Sequence, residues 1–198
     1  MTKYVLNSGG LKKNPEMAKE FFAEVLSNLG QKPKVLFCFF ASRREYWKVK
    51  MKEYANRFKE LSPERVKPSF ALALPDRFVG QVAKSDAIML FGGDDALLQY
   101  WLNQFDIPIL WNKKVVAGSS AGSNVLCTDF WICDWRRCTE GLGILPIKLL
   151  AHYQSSYGHN DPRGPINWEV ALEELKQYGD RSLPIHVLKE GRYVVVEQ

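Results

Sequence analysis

Short β-prone runs alternate with helix-compatible segments through the first two-thirds of this 198-residue chain, and that alternation narrows the fold more than any other feature. Residues 4–6, 35–40, 69–74, 87–91 and 115–117 read as strands. The run Val35-Leu36-Phe37-Cys38-Phe39-Phe40 is continuously apolar, as a strand buried on both faces of a parallel sheet must be. Residues 14–29 read as a helix: Met17, Phe21, Phe22, Val25 and Leu29 recur at helical spacing, Asn14 can cap the start and Gly30 ends it. Residues 46–61, 76–83 and 96–103 supply further helices. This order predicts an α/β fold, three-layer and doubly wound, with a mostly parallel sheet and helices on both faces. No repeat, low-complexity tract or linker divides the chain, so residues 1–198 are expected to form one domain.

Beyond residue 126 the pattern changes. Asp129-Phe130-Trp131-Ile132-Cys133-Asp134-Trp135 is aromatic-rich and suits either strand or loop. Residues 142–150 carry strand-like apolar content, residues 157–165 are turn-rich, and residues 168–178 read as a helix. Residues 184–188 and 193–196 are expected to close the chain as a pair of strands around Glu190-Gly191.

Hydrophobic residues make up 46% of the chain and charged residues 25%, an ordinary globular balance. The net charge of +5 is dispersed along helices rather than massed, which predicts a solvated surface and no nucleic-acid partner. No apolar run reaches the ~18–20 residues of a membrane span. The amino terminus runs straight into a strand with no signal-peptide core, so a cytoplasmic location and no membrane partner are expected. Cys38, Cys127, Cys133 and Cys138 are then expected to be reduced and mostly buried. The spacings of six and five among the last three fit no common zinc pattern.

The chemistry-bearing stretch is Val115-Val116-Ala117-Gly118-Ser119-Ser120-Ala121-Gly122-Ser123-Asn124. Ser120 is the centre of a Gly-x-Ser-x-Gly pattern. A side chain held on a sharp strand-to-helix turn brings its neighbours at ±2 close together, and glycine at both positions removes the Cβ atoms that would collide. The same turn offers backbone N–H groups to a developing oxyanion. A serine nucleophile needs a base. His186 lies in a β-prone run and reads as structural. His152 follows an apolar strand at the carboxyl edge of the sheet and is favoured over His159 in the turn-rich segment. The base needs an orienting carboxylate, and spacing alone leaves Asp134, Glu140, Asp129 and Asp161 open.

Four segments, in this order, carry a resemblance: the strand leading to Ser8-Gly9-Gly10, Ile88-Met89-Leu90-Phe91-Gly92-Gly93-Asp94, the Ser120 segment, and Leu142-Gly143-Ile144-Leu145-Pro146 leading to His152-Tyr153. Through them most of the chain resembles peptidase E (aspartyl dipeptidase) and the related cyanophycinases, serine peptidases with a class-I-glutamine-amidotransferase-like fold. The resemblance implies Ser120 as nucleophile, His152 as base and Asp134 as the acid; Glu140 is the reserve among the carboxylates that spacing leaves open. It implies an oxyanion site from the Gly92-Gly93 turn and Ala121. It also implies a short peptide as substrate, no metal or organic cofactor, and a monomer or homodimer. Arg163 falls near the family arginine that reads an aspartyl side chain, with Arg136 and Arg137 behind it. Tyr157, Trp131 and Trp135 are candidate pocket walls. The turn departs from the family's Gly-Gly-Asn: here Gly92-Gly93-Asp94-Asp95 sets two carboxylates near the mouth, and Asp94 is a candidate substrate contact. Three other readings are a non-catalytic binding module of this fold, an α/β-hydrolase esterase, and a glutamine-amidotransferase-like protein. The last would need cysteine at the position of Ser120.

Overall fold

The computed structural model describes residues Met1–Gln198. Ten strands form two sheets. In the larger, β1 (Lys3–Asn7), β5 (Val115–Ser119), β4 (Ala87–Leu90), β2 (Lys34–Cys38) and β3 (Ser69–Leu72) lie side by side and parallel, and β10 (Tyr193–Glu197) pairs antiparallel with the outer edge of β1. Helices α1 (Pro15–Leu26), α2 (Trp47–Leu61), α3 (Phe78–Ala83) and α4 (Asp95–Leu102) connect the parallel strands, and α5 (Ala121–Asn124) leads from β5 out of the large sheet. The fold is α/β with mostly parallel sheets, as the alternation predicts.

The local boundaries have physical causes. Asn14 does not cap α1 with its side chain; its amide donates to the Gly10 carbonyl at 3.0 Å, and Pro15 opens the helix. The helix stops at Leu26, short of residue 29, because Ser27 turns extended and Asn28 is left-handed at φ 65°. The core is aromatic. Phe22 stacks on Phe58 with ring centroids 4.0 Å apart, and Phe39 stacks on Phe91 at 4.4 Å. No helix is long and apolar enough to cross a membrane.

The region after residue 126 forms a second sheet, which the single-sheet expectation did not include. Its order is β7 (Arg137–Glu140), β6 (Cys127–Ile132), β8 (Leu145–Leu150) and β9 (Ile185–Val187). The aromatic segment is thus a strand and half of a hairpin. Helix α6 (Trp168–Gln177) covers this sheet through a smaller core of Trp131, Leu150, Ile166, Trp168, Ala171 and Leu175. Trp131 is therefore a core residue and not a pocket wall; its indole N–H donates to Glu174 at 2.8 Å.

The expected closing pair of strands does not form. β9 pairs with β8 in the small sheet, whereas β10 pairs with β1 in the large one. The edge of β1 is free to take β10 in full register from Lys3↔Glu197 to Asn7↔Tyr193. The tight turn between them is pinned by Gly191 N–H donating to the Gly9 carbonyl at 2.7 Å. Glu190 consequently lies on a crossing between sheets, above the carboxyl end of β1.

Candidate active site

β5 delivers Ser120 at the carboxyl edge of the large sheet, where such folds hold their ligands. Its backbone is left-handed, φ 54° and ψ −120°, a conformation that costs free energy in a non-glycine residue and marks a constrained turn. A Cβ on Gly118 would lie 2.5 Å from the Gly122 carbonyl oxygen, the close approach that the paired glycines anticipate. Ser120 is half-buried, while the flanking Ser119 and Ser123 are buried.

His152 lies two residues past the end of β8. Its Nε2 lies 3.0 Å from Ser120 Oγ, and its Nδ1 lies 3.2 Å from Glu190 Oε1. A proton on Nδ1 facing the carboxylate leaves the Nε2 lone pair to accept from the serine hydroxyl. The backbone at His152 is also left-handed, φ 58°, and its N–H donates to Ser8 Oγ at 2.7 Å; that hydroxyl donates onward to the Leu188 carbonyl at 3.0 Å. Gly9 packs flat beneath the imidazole, and Gly10 lies beneath Glu190. The Tyr157 ring covers the imidazole with centroids 4.6 Å apart. Burial lowers the His152 pKa, and the hydrogen bond and charge of Glu190 oppose that shift. Burial therefore favours the neutral imidazole, the form that can take a proton.

Asp134 does not occupy the position beside His152 that the resemblance implies. Its carboxylate accepts the Tyr157 hydroxyl at 2.8 Å, and Glu190 holds Nδ1 instead. The hairpin between β6 and β7 carries Asp134 out to an exposed tip, one tyrosine ring away from the imidazole. Glu140 is exposed on β7 and uses its carbonyl to accept from Gln99. Asp129 is buried near Lys148, and Asp161 pairs with Arg163. None of the four carboxylates read from spacing reaches the imidazole. Glu190 was the residue missed, and Ser8 and Gly9 are its neighbours in the same frame. The available signal was a glutamate before glycine between two short strands.

The Gly92-Gly93 turn faces the serine: a Cβ on Gly92 would lie 3.0 Å from Ser120 Cβ. Ala121 is the first residue of α5, so its N–H has no acceptor within the helix. Asp94 caps α4, accepting from Leu97 N–H at 2.9 Å. Asp95 is buried and accepts from Asn124 Nδ2 at 3.0 Å, which ties the glycine turn to α5. Arg163 is exposed, with its guanidinium engaged by Asp161 at 2.6 and 2.8 Å and by the Asp134 carbonyl at 2.7 Å. Arg136 bonds the Gly164 carbonyl, so the hairpin and the 161–164 loop are latched together. Arg137 is exposed, and Trp135 stands 69% exposed beside a cleft of about 90 Å³ that Asp94 and Asp95 also line. His159 is exposed, and His186 is half-buried on β9. All four cysteines are free: Cys38 and Cys127 are buried, Cys133 and Cys138 partly so, and burial raises every thiol pKa. No three metal-ligating side chains converge.

A hydroxyl on a strained turn, within reach of an imidazole that itself contacts a carboxylate, fits a hydrolase of the acyl-transfer type on an α/β fold. The sequence model of peptidase family S51 matches residues 4–198, and the chain belongs to that family of serine peptidases. Two solved structures share the fold. One is a peptidase from an acI-B1 Actinobacterium, 20% identical, with a TM-score of 0.65, covering 99% of this chain and 83% of that one. The other is a peptidase E candidate from Listeria monocytogenes EGD-e, 16% identical, with a TM-score of 0.61, covering 100% and 99%. No curated protein matches significantly.

Proposed function

We propose that this peptidase hydrolyses short peptides through Ser120, His152 and Glu190. The observation that carries the reading is the unbroken contact from Ser120 Oγ to His152 Nε2 at 3.0 Å and from His152 Nδ1 to Glu190 Oε1 at 3.2 Å. Ser120 Oγ attacks the scissile carbonyl as His152 Nε2 takes its proton. Glu190 stabilises the imidazolium, and His152 then protonates the leaving amine. Water repeats the sequence on the acyl-enzyme. The N–H groups of Gly92, Gly93 and Ala121 receive the oxyanion, an effect worth ~3 kcal/mol per donor.

The substrate is a dipeptide or similarly short peptide. Tyr157 over the imidazole and the 161–164 loop latched to the neighbouring hairpin support a short substrate. Reading of an aspartyl side chain by Arg163 requires the substrate carboxylate to displace Asp161 from the guanidinium. Turnover of Asp-X, Glu-X, Lys-X and neutral dipeptides by the purified protein tests the reading, with Ser120→Ala as control. Hydrolysis lost in Ser120→Ala supports it; hydrolysis of none, or hydrolysis that survives the substitution, rejects it.

A further inference from the structure

We infer that Asn7 is the positioning residue of this site: its main-chain oxygen holds the serine turn, and its buried carboxamide locks the imidazole platform to the segment that carries Glu190. The inference rests on the Ser120–His152–Glu190 reading above. Asn7 is the last residue of β1 and is fully buried. It stands between Ser119 of β5 on one side and Tyr193 of β10 on the other. Every polar group it owns past its own N–H is used, and the bonds reach three parts of the site.

The Nδ2 hydrogens donate to the carbonyls of Gly191 at 3.0 Å and Arg192 at 3.1 Å, the two residues that follow Glu190. Oδ1 accepts the Gly9 N–H at 2.7 Å and, at a longer 3.4 Å, the Ser119 hydroxyl. The main-chain oxygen accepts the Ser120 N–H at 3.0 Å and the Ser123 hydroxyl at 2.8 Å. Gly9 in turn accepts from Gly191 N–H, which closes a ring of bonds under Glu190. The side chain thus sets the height of the glycine platform against His152 and the reach of Glu190 toward Nδ1. It touches no reacting atom.

The residue type follows from the bonds. The site needs two donors aimed at carbonyls and one acceptor aimed at an N–H, at the span of a single carboxamide. Aspartate would oppose a carboxylate to two carbonyl oxygens. Leucine would leave the buried Gly191 carbonyl and the Gly9 N–H without partners, while the Arg192 carbonyl would keep only the Ser8 N–H. The main-chain bonds to Ser120 and Ser123 survive any substitution, so changing the side chain isolates its hold on Gly9 and on residues 190–192.

The test is Asn7→Ser, with Asn7→Ala as a second variant, each measured at a temperature where circular dichroism shows it folded. If Asn7 positions the triad, kcat for the best dipeptide of the panel falls by ~100-fold, the order expected for a misplacement of about an ångström, while KM stays within about threefold. The His152 titration, followed by NMR of its Cε1 proton, moves further below its wild-type value because Glu190 is no longer held against Nδ1. A merely structural residue would lower the melting temperature and leave both readouts unmoved. A folded variant with wild-type kcat and an unchanged His152 titration overturns the inference. The NMR readout needs no turnover, so absence of peptidase activity in every protein would sink the functional reading while the titration still decides on Asn7.

Discussion

Gly9 and His152 pack so closely that a Cβ on Gly9 would lie 2.5 Å from the imidazole Cε1. The backbone there is left-handed, φ 107°, which only glycine adopts without strain. The ring is packed by this platform and by Tyr157, and is contacted through its two nitrogens by Ser120 and Glu190. Gly9→Ala is therefore expected to lower kcat by ~100-fold with the protein still folded, because the displaced ring no longer aligns with Ser120 Oγ. Dipeptide hydrolysis with a circular dichroism control measures it; near-normal turnover would show that the platform does not fix the ring.

Glu190→Gln and Asp134→Asn should part company. Glu190 alone contacts Nδ1, so removing its charge is expected to cost up to ~10⁴ in kcat. Asp134 is bonded to the Tyr157 hydroxyl, and Asp134→Asn keeps an acceptor for it, so an effect under about tenfold is expected. Parallel steady-state kinetics on the two variants decide the assignment, and the reverse ranking would return the acid role to Asp134.

The pH profile follows from burial of His152. Its pKa is lowered from 6.5, so the acid limb of kcat/KM should fall below the ordinary histidine range. Glu190 works against that shift, so Glu190→Gln should move the limb to still lower pH. The same displacement bears on folding: the contribution of a neutral buried His152 is complete above pH 6.5 and declines as the unfolded chain takes the proton first. An acid limb above 6.5 would contradict the environment described.

Asp95 gives a stability prediction of opposite sense. Burial pushes its carboxyl up to about 6 from 3.8; Asp134 and Asp94 reinforce the shift and the Asn124 hydrogen bond opposes it. The folded state holds this proton more tightly than the unfolded chain does. Its contribution to stability is complete below about pH 4 and is lost as pH rises through 6. Asp95→Asn keeps the shape and an acceptor for Asn124 without the charge. Its melting temperature should exceed that of wild type at pH 8 and match it at pH 4; an equal gain at both would point to packing instead.

What the sequence made legible were features with local causes. The Gly118-x-Ser120-x-Gly122 turn needs its glycines because Gly118 approaches Gly122, and that requirement is written within five residues. His152 was legible because it follows an apolar strand. Glu190 was not, because its place depends on where two later strands dock. Residues 185–187 and 193–197 have the look of a hairpin, yet each finds a stronger partner elsewhere, β8 and β1, and the turn between them is carried over the site. The second sheet was hidden for a related reason: Trp131 and Trp135 share one aromatic run, yet one is core and the other is 69% exposed at a hairpin tip. Burial of an aromatic side chain is decided by tertiary contacts that local pattern does not encode.

Covalent labelling of the nucleophile tests the central claim most directly. Intact-mass analysis of the purified protein after reaction with a fluorophosphonate should show one adduct, absent in Ser120→Ala and formed more slowly in Glu190→Gln. An adduct that persists in Ser120→Ala, or no adduct on the wild-type protein, would contradict Ser120 as the nucleophile of this site.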